Sequence, residues 1–295
     1  MLRFRLFSIG IFLLFLSGNI NAEESEGEKL MKEVFKRHEL APYVFEKQTM
    51  VLTDSLGNRS VRKLRRYSRV ESNGTIKYLL VIDEPAEVRG VSLLAVLNSK
   101  DKDESRLYLP AFGKKLKSSD DDTRGNYFLD SDFTIDDLTP EVMSDYMYEK
   151  ADDVKMDKLK FFVVIAKPKN IGIEVATGYS YRKHYIRQDN LFLVRTDYYD
   201  RNKRYVKRRT SHDLKQVNGD MWRANMVLME DLRKKNKSLF IIQRRIFSSD
   251  YVPNVLFTAD WLKSGSHLMG ADVRLFRKVA PQEESKEEKK VTEDN

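Results

Sequence analysis

The chain has no cysteine in 295 residues. That excludes disulfides, thiol catalysis, zinc–thiolate sites and a lipid anchor on cysteine. Proline (7) and glycine (13) are too scarce for a low-complexity chain. Histidine is scarce as well. His38, His184, His212 and His267 are the whole set, and none lies at metal-ligand spacing from another. His38-Glu39 begins a zinc-protease pattern, but Pro42 stands where the second histidine belongs. Long hydrophobic runs are also missing. The longest, residues 6–16, falls well short of the roughly 20 residues a helix needs to cross a bilayer.

What is present starts with that run. Arg3 and Arg5 precede it, and Ile20-Asn21-Ala22 ends it on a small residue. The pattern is that of a secretory signal peptide cleaved after Ala22. The expected organisation is a signal peptide at 1–22, one folded domain at 23–280, and a disordered charged tail at 281–295. A large exported chain without cysteine fits a bacterial periplasm. Residues 23–280 carry 48 basic and 39 acidic residues, and for an exported chain the anionic partner is lipid, not nucleic acid. The basic runs 201–209 and 233–237 read as solvated hairpins with outward charge, close to where headgroups would meet the protein.

Leu30, Met31, Val34 and Phe35 recur at helical spacing, so residues 24–38 form an amphipathic helix that must dock. Strands are expected from 49 onward. They cover 49–53, 61–70, 75–82, 91–98 and 105–109, with turns at Asp54–Asn58 and Asn73-Gly74. Residues 113–127 read as an exposed loop, and 136–148 as a short helical or irregular stretch with Thr134 or Asp136 as its cap. Strands resume at 159–167, 179–187, 191–199, 204–209, 212–218, 221–229 and 238–246. A capped helical turn follows at 258–262, then a last strand at 272–278. Ten to twelve successive strands with short turns mean a large antiparallel sheet or barrel.

One strand, Phe161-Phe162-Val163-Val164-Ile165, is apolar on both faces, and Val91–Leu97, with Leu93, Leu94, Val96 and Leu97, is nearly so. A one-sided sheet alternates instead. Such strands need cover on both sides, or an apolar cavity on one. No catalytic set, cofactor motif or metal set accompanies them. Gly178-Tyr179-Ser180-Tyr181 starts a nucleophile elbow, but Arg182 replaces the final glycine. Asp130, Asp132, Asp136 and Asp137 lack the central glycine and closing glutamate of a calcium loop.

Arg89-Gly90-Val91-Ser92-Leu93-Leu94, then Leu107-Tyr108-Leu109-Pro110-Ala111, then Asp130–Leu138 (DSDFTIDDL) resemble the outer-membrane lipoprotein-sorting family, the LolA-like proteins. Tyr198-Tyr199-Asp200, Trp222, Met226, Met229 and Phe257-Thr258 follow in that family's order. The resemblance spans about residues 25–280. It implies a mainly β fold with a few helices: an incomplete antiparallel β-barrel wrapped around an apolar cavity and closed by helices. It also implies a carrier that handles lipid without covalent chemistry.

The residues expected to line the cavity are Leu93, Phe133, Phe161, Val163, Trp222, Met226 and Met229. Methionine suits such a wall because it adapts to varied shapes. The expected partner is the acyl chain of a lipid or lipoprotein, with an inner-membrane transporter and transient membrane contact beside it. The alternative is a periplasmic sensor or accessory module of an envelope transporter on the same fold.

Overall fold

The structure is a computed structural model, and it describes residues 24–38, 41–97, 104–110, 115–118 and 124–268. The signal peptide, the strand expected at 272–278 and the charged tail lie outside the described residues. Six strands come first: β1 (Tyr43–Thr53), β2 (Arg59–Val70), β3 (Ile76–Glu84), β4 (Ser92–Leu97), β5 (Glu104–Leu109) and β6 (Lys115–Ser118). Seven follow: β7 (Tyr146–Met156), β8 (Leu159–Pro168), β9 (Tyr179–Arg187), β10 (Leu193–Asp200), β11 (Tyr205–Asn218), β12 (Met221–Asp231) and β13 (Asn236–Ile246). All join one antiparallel sheet in the order β6-β5-β4-β3-β2-β1-β13-β12-β11-β10-β9-β8-β7. Two meanders thus meet at the single long-range pairing of β1 with β13. β6 and β7 remain the two edges, so the barrel is incomplete.

The hairpins form where turn chemistry allows them. Asp54 accepts from the backbone N–H of Leu56 and Asn58 through Oδ1, both at 2.9 Å, and Gly57 takes φ +88°. Side chains then alternate between the faces. Leu64, Leu80, Leu93, Phe133, Met229 and Phe240 belong to the large cluster on the inner face. Tyr67, Leu79, Val81 and Leu94 point the other way, where residues 252–262 cover them with Val252, Leu256, Phe257, Trp261 and Leu262. Thr258 caps α4 (Ala259–Lys263) by accepting from the Trp261 N–H. Gly90, at φ +83°, lets this cover close in: a Cβ there would stand 2.5 Å from Leu268. The double-sided apolar pattern of β4 is therefore explained by an outer cover that follows the last strand.

The second double-sided strand, β8, is covered on its inner face. α1 (Glu26–His38) lays Met31 and Val34 against Tyr146, Tyr148, Val164, Ala166 and Ile186. Ser25 Oγ donates to the Tyr148 carbonyl at 2.6 Å. Gly27 permits the approach, since a Cβ would come within 2.7 Å of that same carbonyl oxygen.

Three expectations change. Residues 136–148 are helical or irregular only as far as Asp145. α2 (Ile135–Leu138) stops before Thr139, which Pro140 forces into an extended conformation. β7 begins at Tyr146, with Tyr146 and Tyr148 buried and Met147 and Glu149 exposed. The segments expected at 204–209 and 212–218 are one strand, β11. Residues 113–127 are not all loop, because 115–118 pair with β5 and Arg124 enters the ionic cluster described below. One short helix, α3 (Ile171–Thr177), was not anticipated. Asn170 caps it and Gly178, at φ +79°, ends it.

Leu262 is fully buried in the outer cover. Leu262→Ala should lower the unfolding free energy by about 2–5 kcal/mol in a urea titration. A change below about 0.5 kcal/mol would show that the cover does not hold the outer face.

Candidate functional site

Residues 124–145 leave the sheet and lie across its inner face. Their anchor is α2. Thr134 Oγ1 accepts from the Asp137 N–H at 3.2 Å, and the Asp137 carboxylate accepts from the Thr134 N–H at 2.9 Å. This capping box satisfies the first turn and aims Asp137 inward. Lys207 of β11 meets Asp137 at 3.2 Å and donates to the Tyr179 hydroxyl at 2.9 Å. Burial pushes the Asp137 carboxyl up, but Lys207 and Arg182 overcome that and hold it below its ordinary value. Lys207 is only 1% exposed, so this member of the 201–209 run is not on a solvated face.

Arg182 of β9 is the second anchor. Its guanidinium pairs with Asp136, and with Glu141 at 2.6 Å. Tyr146, Tyr179 and Tyr198 present their rings to it at 4.9–5.6 Å. Arg124 adds a contact to Asp136 at 2.7 Å. Glu141 also accepts from the Tyr148 hydroxyl at 2.8 Å. Burial works against its charge, yet His184, Arg182 and Tyr148 keep its carboxyl well below the usual range. The aspartates that resembled a calcium cluster are thus divided. Asp136 and Asp137 face Arg182, Arg124 and Lys207, and Asp132 accepts from Ser238 Oγ at 2.6 Å.

A further buried carboxylate, Glu46 of β1, sits between Arg66 at 2.7 Å and Arg245 at 2.5 Å, and Gln48 donates to it. Burial alone would raise its carboxyl; the two guanidiniums bring it down to about 2.

Between these clusters the 124–145 segment roofs two adjoining cavities of about 150 Å3 each. Arg66, Asp137, Leu138, Pro140, Phe192, Arg209 and Ser211 line both. The first continues to α1 and to His184, Arg182 and Glu141. The second has the apolar wall: Val44, Leu80, Phe133, Val227, Phe240 and Ile242. An engineered apolar cavity of that size holds one benzene. The lining is mixed, with apolar walls beside buried ions, where the sequence reading expected apolar walls.

The seven expected lining residues are not all brought together. Phe133 lines the second cavity, and Leu93 and Met229 lie in the inner-face cluster with it. Phe161 and Val163 sit on the opposite face with Tyr185. Trp222 shares a shallow outer groove with Phe161. Met226 pairs with Ile241 while Val227 pairs with inward Phe240, so Met226 points away from the cavity. Sequence reasoning missed Glu46, Arg66, Arg182, Lys207 and Arg209. The available signal was that Arg182 and His184 share the strand face of apolar Ile186.

A family model described as "-like: Uncharacterized protein" matches residues 74–264. No curated protein matches the chain. Among solved structures, an outer membrane lipoprotein-sorting protein domain from Vibrio parahaemolyticus superposes with TM-score 0.73 at 22% identity, over 80% of this chain and 97% of that one. A DUF1329 family protein from Desulfovibrio piger gives 0.69 at 21% identity, over 79% and 98%. A LolA superfamily protein from Nitrosomonas europaea gives 0.63 at 14% identity, over 80% and 98%. At these identities the likeness is one of fold.

Removing the buried cation should be costly. Arg182→Met removes the cation that Asp136 and Glu141 share, and should cost about 3–5 kcal/mol in urea unfolding. A neutral result would show that the cluster does not anchor the roof. Glu46 sets a pH dependence. Its folded value lies below that of the unfolded chain, so its contribution is complete above about pH 4.5 and is lost as pH falls through about 2. Unfolding free energy should therefore decline over that window, and Glu46→Gln should flatten the decline while lowering stability at pH 7. Equal slopes in both proteins would contradict this assignment.

Proposed function

The chain belongs to the family whose model matches residues 74–264, a LolA-like family by its fold, and from that premise we propose a periplasmic carrier or binding protein for a lipid or lipidated protein. It would move its cargo toward the outer membrane without covalent chemistry, after export by a signal peptide cleaved at Ala22. Residues 23–280 would act as one binding domain. Among the described residues no helix is long and apolar enough to cross a membrane.

The observation that carries this reading is the roofed inner cavity of an open barrel, with an apolar wall and charged groups beside it. Such a wall removes acyl methylenes from water at about 0.8 kcal/mol each. A chain of some 16 methylenes would gain on the order of 10 kcal/mol before ordering costs. The two spaces are too small for such a chain with the roof down, so loading requires the 124–145 segment to lift. That movement would break both the ionic contacts and the apolar packing of Phe128, Phe133, Ile135 and Val142, and would leave the strand pairing intact. Of the residues expected from the sequence, Phe133 is the one we assign to direct cargo contact.

The test is native mass spectrometry of the full-length protein recovered from the envelope of its own host, with uptake of a fluorescent fatty acid measured in parallel. Co-purifying lipid or saturable uptake is expected. Neither being observed would reject a carrier role.

A further inference from the structure

Arg209 stands at the junction of the two cavities and lines both. It projects from β11 on the inner face, between Thr196 of β10 and Met229 of β12. Its Nε is buried with no hydrogen-bond partner, and among the described residues it makes no ion pair.

The other cations of the lining are engaged. Arg66 and Arg245 share Glu46, Arg182 holds Asp136 and Glu141, and Arg223 donates to the carbonyl of His38. Of the nearby carboxylates, Glu46 is shared by two arginines, and Asp137 pairs with Lys207 through Oδ2 while its Oδ1 is buried without a hydrogen-bond partner. A guanidinium that is always charged therefore faces a confined space with no counter-charge of its own. Ser211 lines the same junction with a hydroxyl, and the Tyr78 and Tyr198 rings lie within its electrostatic reach. On one side of it runs the apolar wall of Leu80, Phe133, Val227, Phe240 and Ile242.

A cation beside an apolar wall matches an amphiphile with an acidic end. We infer that Arg209 is an anion subsite, and that the cavity selects amphiphiles bearing a phosphate or carboxylate headgroup over neutral ones. The inference rests on the carrier reading and adds the class of cargo. The acid would supply the hydrogen-bond acceptors that Arg209 lacks, while the chain follows the wall away from the charge. A charge-assisted hydrogen bond at a desolvated site corresponds to roughly 10- to 100-fold in affinity.

The test compares four probes on the full-length protein: oleate, dioleoyl phosphatidic acid, oleyl alcohol and dioleoylglycerol. Each acid should bind roughly 10- to 100-fold tighter than its neutral counterpart. Arg209→Met should abolish that difference, and Arg209→Lys should keep part of it. A preference for phosphatidic acid over oleate assigns the site to phosphate headgroups, and the reverse to carboxylates. Neutral probes binding as well as acids would overturn the subsite while leaving the carrier reading intact, and this comparison needs only the wild-type protein. An acid preference that survives in Arg209→Met would also overturn it. No binding of any probe by wild type would reject both readings together.

Discussion

Arg182 carries its charge out of water and into the space between the sheet and the segment that crosses it. Asp136 and Glu141 accept from its guanidinium, and three tyrosine rings enclose it. Both carboxylates come from the roof, while the arginine comes from β9. The position of the roof is therefore tied to the sheet by charge and not by apolar packing alone. Buried ion pairs of this kind add little net stability, because desolvation offsets most of their attraction. Their effect is on geometry: only one placement of α2 satisfies Arg182, Lys207 and the Thr134 cap together. On the proposed carrier reading the same property would aid release, since water can rehydrate these groups once the segment lifts.

Cover of the sheet follows a division of labour. The β1–β5 half is closed on its outer face by residues 252–262, and the β7–β10 half on its inner face by α1. Neither covers the other's region. The inner face of the first half is thus left to the roof and the cavity. The outer face of β9–β11 is left to side chains that tolerate water, with Tyr181 stacked on Tyr199 at 4.2 Å and Arg195 paired with Asp197 at 2.6 Å. The cavity exists because the helical cover is short and displaced toward one edge.

This arrangement also explains which parts could be read from the residues alone. Hairpins announced themselves through Asp54–Asn58 and Asn73-Gly74, and α1 and the Thr258 cap through spacing. β7 did not, because Met143, Tyr146 and Met147 imitate a helical spacing until Pro140 is weighed. The site was less accessible. Pattern reading assigns charge to the outside, so the 201–209 run reads as a solvated hairpin although its Lys207 is buried. β8 is apolar on both faces, which leaves composition unable to say whether Phe161 or Phe162 turns inward. One residue of phase separates them, and Met226 differs from Met229 in the same way. The DFTIDDL stretch was singled out for its resemblance, and its two adjacent aspartates prove to be the ionic hub.

The energetics of such a cavity favour a cargo that can leave again. A gain on the order of 10 kcal/mol from a long acyl chain would, before ordering costs, correspond to a dissociation constant between micromolar and nanomolar, tight enough to slow release. A roof that must be lifted lowers that affinity by the fraction of molecules standing open. If about one molecule in a hundred is open, apparent affinity falls about a hundredfold, into the range where a membrane or a second protein can compete. The roof also brings Phe128, Phe133, Ile135 and Val142 into the inner-face cluster, so lifting it would expose them until an arriving chain covers the wall, whereas its parted ions would regain hydration. On the proposed carrier reading, Arg182, Lys207 and the α2 cap would set how readily the cavity loads, and the apolar wall would set what it retains.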